Sequence, residues 1–188
     1  MQEYHFKDLI NKKTLILGEL NTGKTKLTAN LLNEAVNNGY SNKITVIDMA
    51  PSINSIYGKV GEKLESYTDC VKLVNYLKPD KVRAPRLEGR TSYEVLKLAQ
   101  ENAMNIDKLI TQFLMNPTEI LFINDLSIYL HMGDIQRVIQ ILTKSKTLIA
   151  NAYEGILLNN DKGSGISNRE KEMLNGVKKF MDIIIEMR

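Results

Sequence analysis

Tryptophan is absent, phenylalanine occurs only four times, and the eight tyrosines are dispersed along the chain. Tyr40, Tyr57, Tyr67 and Tyr93 form no run, so the aromatic platform on which single-stranded nucleic acid stacks is not advertised. Cys70 is the lone cysteine, which excludes an internal disulfide and a cysteine-built metal site and fits a reducing compartment. No stretch approaches eighteen consecutive apolar residues, and the opening MQEYHFKDLINKK lacks the apolar segment of a secretory leader. These absences lead to the expectation of a cytoplasmic protein with no membrane partner. His5 and His131 stand too far from other ligand types to make a metal site; each is expected at the surface or packed against a helix.

The rest of the composition is ordinary. A chain of 188 residues, 43% hydrophobic and 25% charged, suits a single domain over 1–188 with a sizeable core. A net charge of +3 permits an anionic partner without demanding one. The eight methionines, among them Met104, Met115 and Met181, are expected to fill core gaps.

Buried strands are expected at 14–18, 43–51, 119–125, 147–151 and 181–187, where β-branched and apolar residues run without alternation. Between them, helical spacing of Leu27, Leu31, Leu32, Ala35 and Val36 marks a helix stopped by Gly39. Thr91 with Glu94 forms a capping box that opens a long helix to about Met115. Two short helices are expected in 52–78, a loop in 78–90, one helix from the third strand to about Leu142, a mobile loop at 159–168 and a last helix at 169–180. Strands alternating with helices predict an α/β fold, a three-layer α/β/α sandwich around a mostly parallel sheet.

Residues 18–25 read GELNTGKT, and Gly18, Gly23, Lys24 and Thr25 satisfy the pattern G-x-x-x-x-G-K-[ST], the Walker A pattern, between a strand and a helix. Glycines let the backbone wrap a phosphate with its N–H groups pointing inward, and the helix adds its positive dipole end. The cradle residues are thus Gly18, Asn21, Thr22, Gly23, Lys24 and Thr25. Lys24 is placed to neutralise the outer phosphates and the Thr25 hydroxyl to join a Mg²⁺ shell.

On these residues the sequence resembles the P-loop NTPase superfamily. That resemblance implies ATP or another nucleoside triphosphate as ligand, Mg²⁺ as cofactor, and a second acid at the tip of a neighbouring strand. Two strands qualify, ITVID ending in Asp48 and ILFIND ending in Asp125. The guanine-recognising elements D-x-x-G and N-K-x-D are missing at the required places. The RecA-like branch inserts a strand before the acid, which favours Asp125 as metal ligand and makes Asn151, ending the next strand, its γ-phosphate sensor; Asp48 stays the alternative. Where that branch often has a glutamate after the acid, residue 126 is Leu and the tip reads Asn124-Asp125-Leu126, so slow hydrolysis or a different group transfer is expected.

From 119 onward the layout is also similar to the cobalamin adenosyltransferases, which implies adenosyl transfer from ATP to a corrinoid as one activity. Lys78, Lys81, Arg83, Arg86 and Arg90 crowd one segment, read either as a cationic flap over phosphates or as a nucleic-acid contact. Three functions follow: a free-standing ATPase or transferase with Lys24, Asp125 and Asn151 as its catalytic set, a nucleic-acid-responsive ATPase, and a nucleotide-gated module that switches a protein partner or its own oligomer.

Overall fold

The apolar runs form strands whose successive residues feed two separate cores. In the computed structural model, which describes residues 4–188, these are β1 (Lys13–Gly18), β2 (Ile44–Asp48), β6 (Ile120–Asn124), β7 (Thr147–Tyr153) and β8 (Ile183–Met187). The first three residues of the opening stretch lie outside the described residues. The short strands β3 (Ile53–Ser55), β4 (Gly58–Val60) and β5 (Asn75–Leu77) complete the set. Six strands make one sheet in the order β5-β2-β6-β7-β1-β8, with every neighbouring pair parallel. Parallel neighbours require crossovers, and the helices between strands are α2 (Lys24–Asn37), α3 (Pro85–Glu88), α4 (Ser92–Met115), α5 (Ser127–Leu130), α6 (Ile135–Lys144) and α7 (Ile166–Lys178), while α1 (Phe6–Leu9) precedes β1.

Strand alternation assigns each residue to a face. Leu15, Leu17, Leu121 and Ile123 pack with Ile106, Ile110 and Phe113 of α4, Val138 and Ile141 of α6 and Leu174 of α7. Their strand neighbours Ile16 and Phe122 turn the other way, onto Phe6 of α1 and Ala29, Leu31 and Leu32 of α2. Both faces of β2, β6 and β7 are buried throughout. The architecture is therefore a three-layer α/β/α sandwich around a parallel sheet. No helix among the described residues is long and apolar enough to cross a membrane.

Four local expectations are corrected. Residues 52–78 hold no α-helices but the β3–β4 hairpin, two 3-10 turns and the edge strand β5; the segment is fixed by distant contacts, such as the Leu64 N–H donated to Asp48 Oδ2 at 2.7 Å. The helix expected after β6 is two, broken where Gly133 N donates to Tyr129 O and Asp134 then caps α6 by accepting from Gln136 N. The loop expected over 78–90 contains α3, and Asn102 of α4 clasps the Arg83 backbone from both sides at 2.9 and 2.8 Å. Met104 and Met115 are 61% and 82% exposed, because they occupy the outer face of α4, whereas Met181 packs at the core margin. The capping box forms with a shift of register, Thr91 accepting from Glu94 N while the Glu94 carboxylate reaches Arg90 N.

Candidate functional site

All six parallel strands point the same way, so the loops after β1, β6 and β7 meet at one edge of the sheet. After Gly18 the chain turns through a loop in which Asn21 and Gly23 adopt left-handed backbone, φ 59° and 89°, conformations that Asn tolerates and Gly adopts freely. Gly23 then caps α2 without a side-chain partner for the helix's first N–H groups, leaving them and the helix's positive end directed at the loop. Lys24 Nζ donates to the Glu19 carbonyl at 2.6 Å. Burial lowers the pKa of Lys24, with Asp125 and Glu19 acting in the opposite sense. Asn21 Nδ2 donates to Tyr57 O at 2.9 Å, tying the loop to the hairpin. The Glu19 carboxylate ties it to the segment after β7, accepting from the N–H groups of Ile156 and Leu157 at 2.7 and 3.1 Å as well as from Leu20. Burial pushes the Glu19 carboxyl upward, but these main-chain donors outweigh it and hold the pKa below its ordinary value.

Above the loop lies a cleft of about 110 Å³, open to solvent, whose lining includes Asn21, Gly23, Lys24, Thr25, Asp125 and Asn151. Once Lys59 is cancelled by Glu62 at 2.6 Å and Arg86 by Glu170, the charged groups left in the lining are Lys24, Lys26 and Asp125, a balance that favours a polyanion. Asp125 has a left-handed backbone, φ 58°, and burial raises its pKa to about 6 against the pull of Lys24. Its N–H donates to Asn151 Oδ1 at 2.9 Å, while Asn151 Nδ2 donates to Thr28 Oγ1 and Asn124 Oδ1, both at 2.8 Å. Asn151 therefore has both amide hydrogens engaged within the protein. In this arrangement Asn151 positions Asp125 while lining the same cleft.

Asp48 does not line the cleft. Its carboxylate accepts from Ala50 N, Leu64 N, Tyr76 OH and Asn124 Nδ2 at 2.7 to 3.2 Å, and burial raises its pKa despite those four bonds. It is a buried hub that fixes the loops behind β2 and β6, apart from Lys24, Thr25 and Asp125 in the cleft. Gly18 and Thr22 line a separate groove with Glu154 and Glu186, and the Thr22 hydroxyl donates to Glu19 O at 2.9 Å. Among the described residues no group of three or more His, Cys, Asp or Glu is placed to hold a metal. A divalent ion here would have the oxygens of Thr25 and Asp125 and would take its remaining ligands from water and phosphate, as Mg²⁺ does in sites with few protein ligands.

Arg86 of the cationic segment reaches the cleft, but its partner was invisible in the sequence. Arg86 pairs with Glu170 through both guanidinium nitrogens, at 3.3 and 2.9 Å, and lies over the Tyr153 ring at 5.2 Å. His131 Nε2 lies 2.6 Å from the same carboxylate. Arg86 and His131 line the cleft, so His131 is not a surface residue. Arg83 is paired with Glu88 at 2.6 Å, and neither it nor Arg90 reaches the cleft. Arg86 and Glu170 are 84 positions apart, and nothing near Glu170 in the sequence marks it.

No protein-family model matches the chain, and no curated protein matches it. Among solved structures it is similar to a Pyrococcus horikoshii OT3 protein determined in a structural study, with a TM-score of 0.46 and 11% identity over 97% of this chain and 86% of that one.

Proposed function

We propose that this chain is a P-loop nucleotide-binding protein that takes ATP with Mg²⁺ and couples it to slow hydrolysis or group transfer. One observation carries the reading. Lys24 and Thr25, at the start of α2, share a cleft with Asp125, which projects from a strand separated from β1 by β7. That convergence supplies, in one place, N–H groups for phosphate, an ammonium for the outer charge, and two oxygens for the metal. The intervening strand supports the RecA-like branch over layouts in which Asp48 would serve. Bound Mg²⁺ would supply charge stabilisation to the phosphates; Lys24, Thr25 and Asp125 are the residues that would organise it.

Isothermal titration with ATP, GTP and their diphosphates, with and without Mg²⁺, tests the reading. ATP is expected to bind, with tighter binding in Mg²⁺, and Lys24→Ala to abolish binding and turnover together. Wild-type protein that ignores every ribonucleotide at millimolar levels sinks it.

A second reading, the nucleotide-gated module, is favoured by the Glu19 connection. The same loop that would grip phosphate holds the backbone of Ile156 and Leu157, whose side chains are 77% and 45% exposed. A partner protein or second copy that binds those side chains would sense the state of the cradle. Partner capture that is equal with ATP and ADP counts against this version.

A further inference from the structure

Arg86, Glu170 and His131 form a wall that the nucleotide reading leaves unused. Their side chains are 5%, 7% and 1% exposed, and burial of this kind is costly unless every group is satisfied. Glu170 is satisfied, since Oε1 accepts from Arg86 and Oε2 from both Arg86 and His131. His131 is not: its Nδ1 is buried and has no hydrogen-bond partner. Buried polar atoms are paired in most proteins, and an orphan calls for an explanation.

The proton can be placed by elimination. A carboxylate has no hydrogen to give, so the 2.6 Å contact puts the hydrogen on Nε2 and leaves Nδ1 with a bare lone pair. Burial lowers the His131 pKa, Glu170 opposes the shift and Arg86 reinforces it, so the ring is neutral at neutral pH. A neutral imidazole, held by Glu170 and with an unpaired acceptor nitrogen, thus belongs to a residue that lines the same cleft as Lys24 and Asp125. The tip of β6 carries Leu126 in place of an acid that could act as base.

We propose that His131 is the general base of this cleft, taking a proton from the oxygen nucleophile that attacks a terminal phosphoryl group, with Glu170 as its positioning residue. The nucleophile is water or the hydroxyl of a second substrate. Its O–H proton passes to Nδ1 as the oxygen's lone pair forms the new bond to phosphorus. The bridging P–O bond breaks, and its electron pair leaves with the nucleoside diphosphate. The imidazolium, held against Glu170, later returns its proton to solvent. This inference rests on the reading of the cleft as a nucleotide site.

Nitrogen-15 NMR of the nucleotide-free protein reads the tautomer directly: the hydrogen is expected on Nε2, and a hydrogen on Nδ1 overturns the proposal. His131→Gln keeps an amide that can donate to Glu170 and removes the base. It is expected to bind MgATP within about threefold of wild type while turnover falls about 100-fold or more. Turnover is measured both as phosphate release into water and as labelled phosphoryl transfer to a panel of ribonucleosides and sugars. Turnover within threefold of wild type overturns the assignment. Should His131→Gln not fold, Glu170→Gln replaces it, with turnover expected to drop about tenfold at unchanged MgATP affinity; an unchanged rate overturns it. Wild type that binds MgATP but turns over no acceptor sinks this proposal alone, whereas wild type that binds no nucleotide sinks the cradle reading as well.

Discussion

At the residue scale, Asp48 and Asp125 show how one side chain acquires two roles. Both end an apolar parallel strand. Asp48 meets four donors and is absorbed into the structure, whereas Asp125 meets its partners through the backbone and has its carboxyl at the cleft. The sequence could present both strand tips but not the donors, which come from residues up to 76 positions away. The raised pKa of Asp125 has a consequence for stability. Its folded value, about 6, lies above the ordinary carboxylate value, so the folded state holds the proton more tightly than the unfolded chain. Stability from this group is full at low pH and is lost as pH rises through about 6. Asp125→Asn removes that loss and tolerates the left-handed backbone. In nucleotide-free protein it is expected to add about 1 to 2 kcal/mol at pH 7.5, a shift of roughly two pKa units discounted for partial exposure. The gain should shrink toward zero at pH 4, while Mg²⁺-dependent ATP binding weakens. Urea midpoints at the two pH values check the sign, and a mutant less stable at pH 7.5 refutes it.

At the element scale, α2 was the most legible part of the site, because its apolar spacing, the glycine after it and the G-K-T before it are all local. Its two flanking glycines separate stability from binding. Gly23 and Gly39 both have left-handed backbone, φ 89° and 82°, and a Cβ would meet no close contact at either. Gly23→Ala and Gly39→Ala should therefore each cost about 1 to 2 kcal/mol in thermal or urea denaturation. Only Gly23→Ala is expected to weaken ATP as well, since only that residue shapes the loop. Equal loss of affinity in both variants would mean that the loop conformation is irrelevant to the ligand. The pairing of α3 with α7 was illegible for the converse reason. Helices of four residues carry no periodicity, and Arg86 reaches Glu170 only because α3 is seated on α4 and α7 beside it.

At the scale of the whole molecule, the alternation of apolar strands with amphipathic helices was enough to give the layers and the parallel sheet. It gave the interior strands best, because burial on both faces makes β2, β6 and β7 apolar throughout. The edge strand β5 and the β3–β4 hairpin escaped notice, since strands of three residues with exposed positions leave no pattern to read. The hairpin segment also lines the cleft, through Lys59, Val60 and Gly61 together with the loop after β1, and Asn124 Nδ2 pins Glu62 O at 3.0 Å. A ligand seated there would touch the loops after β1 and β6, the end of β7 and the hairpin at once, so its binding energy should appear as global stability. With MgATP at about 100 times its dissociation constant, linkage gives about 2.7 kcal/mol. For a domain of this size that amounts to roughly 5 to 10 °C in the unfolding midpoint. Lys24→Ala, which leaves both apolar cores untouched, should unfold near the wild-type temperature without ligand and show no such rise with it. A ligand-induced shift of the same size in Lys24→Ala would place the nucleotide somewhere other than the loop after β1.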